Sequence, residues 1–186
     1  NSRGDTSKVK EHLKVLYTTG PPSYGSGATA YLAQQAIGYD LLPSNATDEM
    51  SFPEKIEAGF KEALYHGLDG FGGLPSVLVS VGEQMKQQGK KTDIRGLLSH
   101  PQALFRVTKG LIKSKLAHRP MLPKDLWSVK GIVGGGTDSA VFKKKVEALW
   151  GRCPLEVYAG TEGSIYATQT WDYEGMTFIP TLNFFE

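Results

Sequence analysis

The sequence predicts an α/β domain built on a mostly parallel sheet flanked by helices. Three observations carry this. Short β-branched or aromatic runs alternate with segments of helical period, glycine-rich turns leave the apolar runs, and 186 residues suffice for a domain with its own core. In such a sheet the loops at the carboxyl ends of the strands gather along one edge, where ligands bind. Three loops are candidates to meet there: 18–27, 134–139 and 159–164.

Taken in order, residues 1–12 are polar and without period, a tail or linker. The α/β segment is residues 13–186. Val15-Leu16-Tyr17 has the chemistry of a buried strand. It runs into "GPPSYGSG" (Gly20 to Gly27), after which Ala28–Ala36 reads as helix with Ser26 as N-cap. Pro53–His66 is amphipathic, with Ile56, Phe60 and Ala63 or Leu64 on one face and Ser51 before Pro53 as a start signal. Residues 76–88 carry strand chemistry at first, yet Pro75 and Gly89 punctuate them as a helix, and helix is the expectation. Pro101–His118 is a helix predicted to bury Leu104, Val107, Leu111 and Leu116. Ser128–Val133 is a strand, Gly134–Ser139 a turn, and Ala140–Trp150 a helix that buries Phe142, Val146 and Leu149 and stops at Gly151. Leu155–Tyr158 is the next strand, and "MTFIPTLNFFE" reads as one or two strands broken at Pro180.

Composition narrows the function classes. Hydrophobic residues make up 40% and charged residues 22%, with a formal net charge of +2. That charge is too small to argue for nucleic acid. Lys143-Lys144-Lys145 and the scattered Arg106, Lys109, Lys113, Lys115 and Arg119 read as solvated helix faces. No apolar run approaches the roughly 20 residues of a membrane span, so no membrane partner is expected. Cys153 is the single cysteine, which excludes an internal disulfide, fits a reducing cytoplasm and reads as a small apolar filler. The sequon at Asn45-Ala46-Thr47 reads as chance in that setting. The four histidines, His12, His66, His100 and His118, are dispersed without metal-ligand spacing.

The glycine loops carry the chemistry. Gly20 and Gly25 are spaced like the glycines of a phosphate loop, but Ser26 and Gly27 stand where Lys and Ser or Thr are needed. Pro21 and Pro22 also lack the amide donors of a phosphate cradle, so this stretch is a rigid strand exit. Gly134-Gly135-Gly136-Thr137-Asp138 opens a helix, whose first amides are unpaired and attract anions. Taken alone it reads first as a tight strand-to-helix turn with Thr137 or Asp138 as N-cap, since glycine turns are common. In Tyr158-Ala159-Gly160-Thr161-Glu162 an aromatic strand end precedes a hydroxyl and a carboxylate. Thr161 can bond a phosphate oxygen, Glu162 can hold Mg²⁺, and Tyr158 can face a purine. The bland alternative is a helix start capped by Thr161 with Glu162 in its first turn.

Together the two loops resemble the adenylate-forming superfamily, which carries a glycine-pair motif and, about one βα unit later, Tyr-Gly-x-Thr-Glu. Here Ala159 replaces that motif's glycine. A narrower resemblance runs through almost the whole chain, to bacterial relatives of the auxin-responsive acyl-acid amido synthetase family. Its blocks are "VLYTTGPPSYGSGA", "MSFPEKIEAGFKEALYHGLDGFGGLPSVLVSVGEQ", "VKGIVGGGTDS", "PLEVYAGTEG" and "MTFIPTLNFFE". The last ends in Phe184-Phe185-Glu186, where the plant enzymes have Tyr-Phe-Glu.

The resemblance implies part of the large N-terminal domain of an adenylate-forming enzyme. Family members are about three times longer, in keeping with several domain-sized units. They carry a Ser/Thr/Gly-rich phosphate loop, which Ser2–Lys10 matches poorly, because Arg3, Asp5 and Val9 intrude and an acid repels phosphate. A ribose-binding aspartate and a mobile C-terminal domain are expected beyond Glu186, so the chain resembles a middle piece and is expected to turn nothing over by itself. The resemblance further implies ATP and Mg²⁺ as cofactors, a small carboxylic acid as substrate, and an amine or thiol as acceptor. By it Glu162 holds Mg²⁺ and Thr161 bonds the α-phosphate. Gly134, Gly135 and Gly136 lie along the adenine or acyl group and Tyr158 stacks on the adenine, with Thr137, Ala159 and Gly160 beside the nucleotide. A CoA ligase with a thiol acceptor and a non-catalytic α/β binding module are the alternatives.

Overall fold

The computed structural model describes residues 10–18, 20, 24–47, 49–88, 99–136, 139–160, 163–170 and 172–181. The elements run β1 (Lys14–Thr18), α1 (Gly25–Ile37), β2 (Asp40–Leu42), α2 (Phe52–His66), β3 (Gly70–Gly73) and α3 (Pro75–Gln88). Then follow α4 (Pro101–Leu116), the single turn α5 (Pro123–Leu126), β4 (Gly131–Gly135), α6 (Ser139–Trp150), β5 (Leu155–Gly160), β6 (Ser164–Thr168) and β7 (Thr177–Phe178). The strands form one sheet in the order β2-β1-β3-β4-β5-β6-β7. Pairings from β2 to β5 are parallel, and β6 and β7 join antiparallel. The expected α/β class with a mostly parallel sheet is therefore the observed one.

The order reverses at β1. The chain steps from β1 to β2 on one side, then returns past β1 to β3. Right-handed crossovers in opposite directions place their helices on opposite faces of the sheet. Accordingly Leu16 faces α2, where a Cβ on Gly59 would overlap its Cδ1, while Val15 and Tyr17 line a cavity with Ala33 of α1. The main core lies on the α2 side. Leu16, Phe71 and Ile132 from the strands meet Ala63, Leu78, Val146, Leu149 and Trp150 from α2, α3 and α6. Trp127 and Trp150 stack at 5.7 Å, and Phe60 tilts against both. Each indole N–H donates to a helix carbonyl, Trp127 to Ala63 and Trp150 to Leu78, both at 3.0 Å. Burial of these rings therefore strands no polar atom.

Local signals explain most boundaries. At α2 the Glu54 carboxylate accepts from the Ser51 amide at 2.8 Å and from its hydroxyl at 2.6 Å, which places the start just before Pro53. At α1 the expected start is displaced. The helix begins at Gly25 with Tyr24 as N-cap, so Ser26 lies inside it rather than capping Ala28. Three strands go beyond those expected from local sequence. β3 is "GFGG", without strand propensity. It forms because its flanks pair in register with β1 and β4, and because Gly72 admits the Tyr17 ring, which a Cβ would approach to 2.5 Å. β2 and β6 are likewise held by their neighbours. The strand expected over 128–133 pairs instead over Gly131–Gly135.

The expected burial of α4 is corrected. The helix packs through Ala103, Val107, Gly110 and Ser114, whereas Leu111 and Leu116 are exposed and Leu104 is half-buried. Small residues win because α4 approaches closely: a Cβ on Gly110 would meet Leu126 Cδ2 at 2.9 Å. Two of the cations expected to be solvated are structural. Arg106 donates to the carbonyls of Leu64 and Tyr65 at the end of α2. Arg119 makes a two-pronged contact with Asp125, at 2.7 and 2.9 Å. The basic run in α6 is also mostly engaged, since Lys143 and Lys145 pair with Glu156 and Glu83. Among the described residues no helix is long and apolar enough to cross a membrane.

Asp125 is only 4% exposed. Burial pushes its carboxyl up, but the Arg119 guanidinium, the Leu122 amide and nearby Lys113 together hold it below the ordinary carboxylate value. Its stabilising contribution is therefore full above the unfolded value and lost as pH falls through the lower folded one. Asp125→Asn is expected to cost about 2–3 kcal/mol at neutral pH. Urea titrations across pH should show the gap to wild type narrowing below about pH 4.

Candidate functional site

β4 and β5 pair in parallel, with Val133 opposite Leu155, Gly134 opposite Glu156 and Gly135 opposite Val157. Both strands therefore run toward one edge, β4 ending beside Val157 and β5 continuing three residues further to Gly160. β1 and β3 end at the same edge. Their ends are tied by the Leu74 amide, which donates to the buried Thr18 hydroxyl at 3.1 Å. The Leu74 side chain reaches the Gly136 Cα, where a Cβ would stand 3.3 Å from its Cδ2. The edge is thus continuous from β1 to β5. The strand order reverses at β1, so the exit at Gly20 lies at the topological switch point where ligands bind in such sheets. This is the place expected of the "GPPSYGSG" stretch, although Pro21 and Pro22 lie outside the described residues.

The glycines at this edge have separate reasons. A Cβ on Gly134 would meet Pro75 Cγ at 2.7 Å, so Gly134 lets α3 begin against β4. Gly135 is open: a Cβ there would come no nearer than 3.7 Å to the Val157 carbonyl, its closest neighbour beyond the adjoining residues. Gly136 has φ +115°, which β-carbon-bearing residues rarely adopt. Beside them Tyr158 is 56% exposed, and Ala159 is exposed. The pairing shifts between Tyr158 and Ala159, opposite Ala167 and Ile165 respectively, which leaves Tyr166 as the extra residue of a β-bulge. The bulge brings the Tyr166 ring to 5.1 Å from Tyr158, and a Cβ on Gly160 would meet that ring at 2.9 Å. Two aromatic rings and an unobstructed glycine backbone thus share one edge.

A polar network lies beneath this surface. Glu156 precedes Tyr158 by two residues, on the same face of β5. Lys143 of α6 stands 3.4 Å from Glu156 Oε1 and donates to Gln169 Oε1 at 2.7 Å. Gln169 Oε1 also accepts from the Glu156 amide at 3.1 Å. Glu156 and Lys143 side chains are 13% and 18% exposed, and Glu156 Oε1 has no hydrogen-bond partner beyond the ion pair. The network joins α6, β5 and the segment after β6. Sequence reasoning missed it and Tyr166. Alternation along β5 linked Glu156 with Tyr158, but nothing local pointed to Gln169.

Thr137, Thr161 and Glu162 lie outside the described residues, as do Asp138 and Phe184-Phe185-Glu186. After the undescribed pair 161–162 the chain continues as strand β6, antiparallel to β5, with Gly160 opposite Ser164. After Gly136 a helix does follow, beginning at Ser139. Among the described residues no group of three or more His, Cys, Asp or Glu side chains is placed to hold a metal. His12 bonds Asp40 at 3.2 Å, and His100 stacks on Tyr65. Cys153 is half-buried, and burial pushes its thiol up, as befits a filler rather than a nucleophile.

The fold is similar to parts of larger solved structures. A particular likeness is to 2-hydroxyisobutyryl-CoA ligase, solved in an open conformation with 2-HIB-AMP and CoA. The TM-score is 0.59 at 14% identity, over 90% of this chain and 30% of that one. Fainter likenesses are to ATP-bound MatB from Rhodopseudomonas palustris (TM-score 0.47, 12% identity, covering 90% of this chain and 25% of that one) and to CmiS6 (0.46, 18%, 87% and 30%). These two are too remote to carry an argument. The chain spans under a third of the length of the structures it matches. No protein-family model and no curated protein matches the sequence.

Lys143→Met leaves the Glu156 carboxylate buried without its cation. It should cost about 3 kcal/mol, read as a lower thermal midpoint. Lys143→Met with Glu156→Leu should recover most of that loss, which a merely additive pair would not.

Proposed function

We propose that this chain is the nucleotide-binding segment of a ligase that activates a carboxylic acid with ATP and passes the acyl group to an amine. The observation that carries the reading is the exit of β4 and β5 toward one edge, open glycine backbone on one and exposed Tyr158 on the other. It sits in a fold shared with a ligase that was solved holding an acyl-AMP. The narrower sequence resemblance is what favours an amine acceptor. The CoA in that ligase structure favours a second reading, transfer to a thiol.

The chemistry asks for positioning and charge stabilisation. A carboxylate attacks the α-phosphorus, one anion approaching another, and pyrophosphate leaves. Most of the barrier therefore falls to fixed donors and cations. Tyr158 offers its face to the adenine, and Gly135 and Gly136 allow the nucleotide or acyl group to lie against backbone. Thr161 donates to the α-phosphate. Glu162 would hold Mg²⁺, which would supply neutralisation of phosphate charge. The amine or thiol then attacks the acyl carbonyl and AMP departs.

In the full-length protein, with a panel of carboxylic acids, ATP and Mg²⁺, Glu162→Ala should lower pyrophosphate release at least about a hundredfold, the order lost with one charge-stabilising group. Its circular dichroism should stay unchanged. Wild-type release from that variant rules out the metal role, and no release from wild type with any acid favours a binding module. Offering amino acids and CoA in parallel separates amide from thioester. Tyr158→Ala should raise the KM for ATP about tenfold, consistent with one stacking contact of ~1–3 kcal/mol, whereas Tyr158→Phe should leave it near wild type.

A further inference from the structure

Helix α4 packs through its small residues and turns its large ones outward. Phe105 is 68% exposed, Ile112 55% and Leu116 76%. At 3.6 residues per turn these three fall within an arc of about 40°, centred roughly opposite the buried row of Ala103, Val107, Gly110 and Ser114. They form a straight apolar ridge about 16 Å long. Exposed Lys109 and Lys113 flank it on one side and exposed Lys115 on the other. The helix contains no acidic residue. Its remaining cation, Arg106, is engaged with α2 carbonyls, and the Arg119 beyond its end is paired with Asp125. The ion pairs among the described residues involve none of Lys109, Lys113 and Lys115.

We propose that this outer face of α4 docks on an anionic lipid bilayer, with Phe105, Ile112 and Leu116 entering the headgroup layer and Lys109, Lys113 and Lys115 meeting lipid phosphates. Apolar side chains on a ridge flanked by lysines are the pattern of a helix lying in the plane of a membrane surface. Lysine stems extend along such a ridge while their ammonium groups stay among the headgroups. The ridge is convex. A folded protein partner would have to offer a complementary apolar groove with acidic walls, whereas a bilayer deforms around a ridge and supplies negative charge on both flanks. The exposed lysines are the charge complement of an anionic surface. The inference is independent of the proposed ligase activity.

The test is co-sedimentation of the protein with vesicles of phosphatidylcholine alone or with about a third phosphatidylserine, a composition that sets a negative surface potential. The expected result is partitioning at least about tenfold stronger on the anionic vesicles, weakening with added salt. Phe105→Gln with Ile112→Gln and Leu116→Gln should lower it at least about tenfold, with helix content and thermal midpoint unchanged. Lys109→Gln with Lys115→Gln should lower it about twenty-five-fold, at roughly fivefold per lysine. The proposal is overturned if wild type shows no preference for anionic vesicles, as a face covered by protein would not. It is also overturned if the triple glutamine variant binds as well as wild type, or if that variant loses thermal stability, which would mark the ridge as packed.

Discussion

The parallel pairing of β4 with β5 is the constraint on which the candidate site depends. Parallel neighbours must be joined by a crossover, and here that crossover is α6. The helix stays on the sheet because Val146, Leu149 and Trp150 are buried, with the Trp150 indole bonded to the Leu78 carbonyl of α3. With α6 seated, Gly134 falls opposite Glu156 and both strands point their carboxyl ends the same way. A shift of one residue would turn Ile132 and Gly134 away from the core and Pro75, and would expose Glu156. Core packing and register at the edge are therefore one requirement.

Glycines make that packing possible. Gly59 admits Leu16, Gly72 admits the Tyr17 ring, Gly134 admits Pro75 and Gly160 admits the Tyr166 ring. Each is a close approach between elements rather than a turn. The layers come together at backbone distance, and the buried charged groups are held by charge-assisted contacts. Arg119 with Asp125 secures the turn before β4, and Lys143 with Glu156 and Gln169 secures the hairpin after it. Such buried pairs lend little net stability against apolar replacements, but leaving one partner alone is costly, so they specify geometry.

The resulting edge is open along its backbone and carries exposed aromatic surface. It combines an exposed aromatic face, backbone without side-chain obstruction and strand ends converging at a reversal of strand order. The outer face of α4 belongs to another part of the molecule and a different physics. It is governed by which helix positions were small enough to be buried.

Much of this was legible locally. Helical period, the Ser51–Glu54 start signal, the apolar face of α6 and the alternation of strands with helices determined the α/β class. They also determined that two glycine-ended strands lie one βα unit apart, because period and capping are properties of contiguous residues. Tertiary structure alone decided that "GFGG" is a strand, that Ser164–Thr168 pairs antiparallel with β5, and that Gln169 reaches Lys143. It also decided that α4 buries Ala103, Gly110 and Ser114 in place of Leu111 and Leu116. The reason is the same in each case. Propensity and period rank residues by their own chemistry, whereas strand pairing and the closeness of neighbouring elements are set by atoms distant in sequence, and these override a local preference worth only about 1 kcal/mol.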